Sequence, residues 1–134
     1  MKLILPTLQE VRAERARRSL AEFVKQAWPI IEPGTLLIWN WHLDVICEHV
    51  QALVERRLGQ QNLAINVPPG SMKSTIVSVC LPAWIWAQAS THPTGGPSYR
   101  GLFLSGSESI ALRDSMKCRD ILESAWYQES FRPT

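Results

Sequence analysis

Lys73 and Ser74 stand side by side at the end of a turn-rich stretch, Asn66-Val67-Pro68-Pro69-Gly70-Ser71-Met72-Lys73-Ser74-Thr75. A lysine beside a hydroxyl, where a helix is about to begin, suits polyphosphate chemistry. Backbone N–H groups at a helix N-terminus point toward an anion. The lysine reaches the β- and γ-phosphates of a nucleotide, and the neighbouring hydroxyl holds Mg²⁺. Lys73 takes the first role and Ser74 the second, with Pro69, Gly70, Ser71, Met72 and Thr75 completing an ATP-binding loop. The apolar run Leu63-Ala64-Ile65 precedes the loop and a mostly apolar run, Ile76 to Ala87, follows it. That is the layout strand, tight turn, helix.

The loop departs from the pattern G-x-x-x-x-G-K-[ST]. Counting back from Lys73, Val67 and Met72 occupy the places of the two glycines. Gly70 and Ser71 give the apex its freedom instead. Pro68 and Pro69 have no N–H, so they shape the approach to the loop without donating to a ligand. Met72 must either avoid a positive φ or carry strain there. The plain alternative is a Pro-Pro-Gly turn ahead of a core helix.

The elements around the loop follow from pattern and punctuation. Thr7-Leu8-Gln9-Glu10 reads as a capping box that opens a helix to about Ala27. Trp28-Pro29 stops that helix, and Glu32-Pro33-Gly34 makes a turn. A second helix is expected from about His42 to Leu58, with Leu43, Ile46, Val50, Leu53 and Val54 at helical spacing and Gly59 as its C-terminal cap. Asn62 to Val67 reads as a strand buried on both faces. Lys73 begins the loop helix, which Pro82 kinks or ends. Residues 90–98 form a Pro/Gly-rich loop, Gly101 to Ser105 a second strand, and Ser107 opens a helix to about Glu123.

Three further blocks accompany the loop. Asn40-Trp41-His42-Leu43-Asp44 precedes it, Leu81-Pro82-Ala83-Trp84-Ile85-Trp86 follows it, and Ala111-Leu112-Arg113-Asp114-Ser115-Met116-Lys117-Cys118-Arg119 comes later, ending in Ser124-Ala125-Trp126-Tyr127-Gln128. In this order and spacing the blocks, over residues 36 to 131, resemble the start of the large terminase subunit of tailed bacteriophages, the ATP-driven motor that pumps DNA into a procapsid. The resemblance implies an α/β fold: an incomplete RecA-like P-loop NTPase sandwich with parallel strands, preceded by N-terminal helices. It divides the chain into a helical segment and linker, 1–35, and the first part of an ATPase domain, 36–134. It implies ATP and Mg²⁺ as ligands. Its partners would be double-stranded DNA, a portal protein and a small terminase subunit, in the cytoplasm of a bacterial host. A helicase-like P-loop ATPase shares the loop but not the Pro82-Ala83-Trp84 block.

An ATPase of this type also needs an apolar strand ending in an acidic residue that orients water and metal. The sequence has no run of four apolar residues followed by an acidic pair, and no carboxylate cluster that would hold two metals for DNA cleavage. At 134 residues the chain is one modest domain at most. It reads as an N-terminal fragment or truncated product of such a motor, or as a non-catalytic remnant, and is expected not to turn over ATP. With only two strands and no sheet neighbours it is also expected to be marginally stable alone.

The resemblance makes Trp41 and His42 candidates for stacking on adenine and bonding its edge. The competing reading has Trp39 and Trp41 as core aromatics and His42 as a helix cap. His42, Cys47 and His49 lack the spacing of a closed zinc site. Relatives place an arginine within the loop at the position of Gly70, so that basic group is absent here and must come from elsewhere. Arg113, Lys117 and Arg119 can meet phosphate or DNA; the competing reading pairs them with Asp114, Asp120 and Glu123 on a solvated face. Segment 1–27 holds six basic and three acidic residues. Its arginine-rich helix can meet DNA or a portal, or simply be solvated.

Composition is ordinary for a globular protein, with 46% hydrophobic and 19% charged residues. A net charge of +2 does not by itself announce nucleic-acid binding. Met1-Lys2-Leu3-Ile4-Leu5-Pro6 is too short for a secretory signal. The apolar run from Ile76 is about twelve residues, short of the ~20 that cross a bilayer. Cys47, Cys80 and Cys118 are odd in number and widely spaced, as in a reducing compartment.

Overall fold

The computed structural model describes residues 3–59, 62–68 and 70–131. Helix α1 spans Leu8–Arg18, α2 Leu20–Ile31 and α3 Trp41–Val54. A π-helical segment, Thr75–Cys80, runs directly into α4, Leu81–Trp86. A 3-10 turn, Gly96–Ser98, then leads to α5, Glu108–Glu123, and α6, Ala125–Phe131. Helix α2 lies near the middle, packed on α1, α3, the π segment, α4 and α5.

The first helix opens as its sequence requires. Glu10 N–H donates to Thr7 Oγ1 at 3.2 Å while Thr7 N–H donates to the Glu10 carboxylate at 2.7 Å, the reciprocal bonds of a capping box. It does not continue to Ala27. Ser19 turns extended (φ −135°, ψ 120°), its N–H donates to Arg15 O, and its Oγ accepts from Glu22 N–H to begin α2. Gln51 of α3 holds the break: its Nε2 donates to Arg18 O at 2.8 Å and its Oε1 accepts from Leu20 N–H at 2.9 Å. Pro29 does not stop α2, which runs to Ile31. Close to the end of a helix, the hydrogen bond that a proline removes is one of the last.

The α3 boundary also differs from expectation. The helix ends at Val54, five residues before Gly59, because Arg56 adopts φ +59°. Arg57 N–H donates to Ala52 O and Arg56 N–H to Leu53 O, the two bonds of a Schellman cap. The left-handed position expected of a glycine is thus filled by an exposed arginine.

Pro82 neither breaks nor ends its helix. It has no N–H to give Ser78 O, and its ring would press on that carbonyl. The preceding turns widen to i→i+5 spacing, with Leu81 N–H donating to Ile76 O. The Pro82-Ala83-Trp84 block is core: Trp84 is fully buried, its Nε1–H donates to Ala16 O at 2.9 Å, and Ala83 O accepts from Tyr127 Oη–H at 2.9 Å.

The expected α/β sandwich is not formed. Helices hold 61% of the described residues, and no strand occurs among them. Residues 62–68 and 101–105 are extended but make no backbone–backbone hydrogen bonds there. Leu63, Ile65 and Val67 are half-buried and alternate with exposed neighbours, so the first run has the two-residue period of a strand with one covered face. It lies beside α3, whereas Gly101, Phe103 and Leu104 border α5 and the π segment. No hydrogen-bonded ladder joins either run to a neighbour among the described residues. β-branched and apolar residues favour an extended chain, but a ladder needs a second backbone alongside it. Leu102 and Leu104 are left more than four-fifths exposed.

Candidate functional site

Val67 delivers the chain from its extended run into the loop. Ser71 Oγ–H donates to Pro68 O at 2.6 Å and closes the turn from the inside. Gly70 takes φ +83°, and Met72, in the place of the second glycine of the pattern, takes φ +62°. A left-handed conformation at a non-glycine residue costs about 1–2 kcal/mol. The methionine side chain is half-buried against the core, and that burial offsets the strain. Pro69 lies outside the described residues.

The helical stretch starts at Lys73, and Ile76 N–H makes the first helical bond, to Met72 O at 2.9 Å. Among the described residues no backbone or side-chain acceptor meets the N–H groups of Lys73, Ser74 or Thr75. These are the orphan donors of a helix start. A cavity of about 440 Å³ opens here, lined by Val67, Pro68, Gly70, Ser71, Met72, Lys73, Ser74, Thr75 and Arg113. Lys73 is exposed and makes no ion pair among the described residues. No carboxylate of the described residues lines this cavity.

A second cavity, of about 320 Å³, lies between α3 and the extended run. Trp41, His42 and His49 border it with Val45, Ile46 and residues 63–67, so Val67 forms a wall of both cavities. Trp41 is 73% exposed with its ring edge-on to His42, which rules out a core role for it. Trp39 is the structural member of the pair: Lys25 Nζ sits 4.7 Å over its ring and its Nε1–H donates to Asp44 at 2.9 Å. Asn40, not His42, caps α3, accepting from Trp41 N–H. His49 Nδ1 lies 2.8 Å from Val45 O; a carbonyl only accepts, so this nitrogen carries the proton.

The basic residues of α5 separate into different tasks. Lys117 pairs with Glu32 at 2.7 Å and ties α5 to the end of α2. Arg119 borders a different cavity, of about 380 Å³, under residues 101–105. Arg113 alone of the three reaches the loop cavity. Its Nε and Nη2 lie 3.4 and 3.3 Å from one oxygen of Asp114, a buried carboxylate. Of the expected pairings with Asp114, Asp120 and Glu123, that of Arg113 with Asp114 forms, while Lys117 reaches Glu32 instead. Forty positions separate Arg113 from Lys73, so nothing in their spacing announces that they share a cavity.

The arginines of α1 are largely engaged within the protein. Arg18 and Arg17 pair with Glu14, Arg15 with Glu22, and Arg17 also donates to Ser130 O and lies over the Phe131 ring. They stand at the helix C-terminus, where positive charge is favourable.

The thiols are structural. Burial pushes Cys47 up to about 12 and Cys118 to about 11, and raises Cys80 as well. Protonated, buried thiols are poor nucleophiles and poor metal ligands. Among the described residues no group of three His, Cys, Asp or Glu side chains can hold a metal ion. Mg²⁺ brought in with a nucleotide is held by phosphates, waters and one or two carboxylates, with a loop hydroxyl beside them; of that set the loop cavity supplies the Ser74 hydroxyl. No helix among the described residues is long and apolar enough to cross a membrane.

No family model matches the chain, and no curated protein or solved structure matches it either.

Proposed function

We propose that this chain binds the polyphosphate of ATP in the loop cavity, as the nucleotide-binding part of a DNA-packaging motor of the terminase large-subunit type. Lys73 contacts the β- and γ-phosphates, the N–H groups of Lys73, Ser74 and Thr75 supply further donors, and the Ser74 hydroxyl holds Mg²⁺. Bound Mg²⁺ would neutralise part of the phosphate charge. Trp41 offers an exposed ring for adenine, with His42 at its edge. The carrying observation is the shared wall: Val67 joins a cavity ringed by Lys73, Ser74 and Thr75 to one bordered by Trp41 and His42. Volumes of about 440 and 320 Å³ fall within the usual range of ligand sites, roughly 300–1,000 Å³.

The assignment to a packaging motor rests on the sequence blocks, as do double-stranded DNA, a portal protein and a small terminase subunit as partners. Binding without turnover is the form this function takes in the chain itself. No carboxylate lines the loop cavity to orient an attacking water.

A titration with Mg·ATP, followed by calorimetry and by tryptophan emission, tests the proposal. Saturable binding is expected, weakened at least tenfold by Lys73→Ala and accompanied by an emission change that Trp41→Phe removes. Phosphate release should match a protein-free blank. Absence of saturable binding, or binding indifferent to Lys73→Ala, overturns the proposal.

A further inference from the structure

We infer that Arg113 is the residue that distinguishes a nucleoside triphosphate from a diphosphate at the loop. The inference rests on the nucleotide-binding reading above and adds to it a residue from a separate helix. Among the described residues the loop cavity carries two cations and no carboxylate, and the two come from different elements: Lys73 from the helix start and Arg113 from α5. A polyanion seated on the loop therefore meets a second positive charge across the cavity.

The state of Arg113 suits this task. Its guanidinium is held by Asp114, the next residue in the chain, at 3.3–3.4 Å and through one carboxylate oxygen. Charge-assisted bonds of this kind normally close to about 2.7–2.9 Å and often use both oxygens. The pair is loose, and the arginine side chain is 55% exposed, whereas that of Asp114 is only 12% exposed. A buried carboxylate thus holds at the cavity an exposed fork with unspent donors. The loop N–H groups serve the phosphate nearest the helix start, and Lys73 bridges from it to the terminal phosphate. The terminal phosphate, one unit farther along, has room for a second cation, and α5 supplies one in Arg113. A diphosphate does not extend that far.

Mg·ATP and Mg·ADP affinities of the wild type, Arg113→Ala, Arg113→Gln, Arg113→Lys and Lys73→Ala provide the test, with Arg119→Ala as a charge control off the loop cavity. Arg113→Ala and Arg113→Gln are expected to weaken ATP binding roughly tenfold or more, the scale of one charge-assisted contact, while ADP changes less than about twofold. Arg113→Lys should recover part of the loss, as a point charge without the fork. Arg119→Ala should alter neither. Far-UV circular dichroism confirms that each variant is folded; the glutamine variant keeps the side-chain bulk should alanine disturb α5. If the ATP/ADP ratio survives both Arg113 variants while Lys73→Ala abolishes binding, the inference fails and the nucleotide site stands. An equal loss for ATP and ADP also overturns it. If the wild type binds neither nucleotide, both fall together.

Discussion

Two helix ends in this molecule face the same problem and meet it differently. After the last helical bond of α1, from Ser19 N–H to Arg15 O, the carbonyls of Ala16, Arg17 and Arg18 have no helical partner of their own. All three are met by side chains: Ala16 O by Trp84, Arg17 O by Gln88 and Arg18 O by Gln51. The first N–H groups of the helical stretch at Lys73 have no such partners among the described residues, and no side chain caps them. One end is a seam that joins three helices; the other is a set of donors without partners among the described residues, beside a lysine that makes no ion pair among them. Stability therefore resides in the seam and the proposed binding in the loop, and changes to one should leave the other largely untouched.

The strongest test of that division is at Trp84. It is fully buried and also supplies the donor to Ala16 O. Trp84→Ala should cost about 3–5 kcal/mol in denaturant unfolding, from a large cavity and an orphaned carbonyl. Lys73→Ala should stay within about 0.5 kcal/mol of wild type, as an exposed substitution does. A comparable loss at both would erase the distinction.

A smaller effect comes from pH. Cys47, Cys80 and Cys118 are raised from an ordinary 9.0 by burial, to about 12 for Cys47 and about 11 for Cys118, and Tyr127 is raised from 10.0 by burial. Because the folded values lie above the unfolded ones, the unfolded chain releases protons first. The stabilisation is complete below pH 9 and is lost as pH rises from there through the folded values. Melting temperatures measured from pH 8 to 11 should fall, with a slope of up to about one proton per buried thiol. Replacing Cys47 with Ala should flatten the curve between 9 and 11; an unchanged slope would contradict the assignment.

The smallest effects separate two strained residues. Arg56, exposed at φ +59°, gains about 1 kcal/mol when changed to Gly, because only the backbone penalty is removed. Met72, at φ +62°, loses half-buried side-chain packing along with its strain, so Met72→Gly should gain less than Arg56→Gly. Paired denaturant titrations check the order; a larger gain at Met72 would mean that its side chain contributes nothing to holding the loop.

Local chemistry was legible in the sequence where a feature depends on a few neighbouring residues. The Thr7–Glu10 capping box, the turn at residues 32–34 and the helix from about Ser107 to Glu123 all stand as their residues indicate. Features set by distant partners were not legible. The break at Ser19 depends on Gln51, and passage through Pro82 depends on the widened turn before it. The sheet failed for the same reason. Asn62–Val67 has the alternation of a strand and borders α3, yet no backbone–backbone hydrogen bond pairs it with a second strand among the described residues. For the candidate site, the motif itself identifies the residues that line the loop cavity, while Arg113 enters only through the tertiary path of α5.

The most direct measurement of the central claim is amide hydrogen exchange with and without Mg·ATP. The N–H groups from Gly70 to Thr75 should exchange rapidly in the free protein and slow markedly with nucleotide, while the Gln51–Trp84–Gln88 seam stays unchanged. Lys73→Ala should abolish the slowing. If saturating Mg·ATP leaves exchange across residues 70–75 unaltered, these open donors are not a phosphate site, and the account of this chain as a nucleotide binder is wrong.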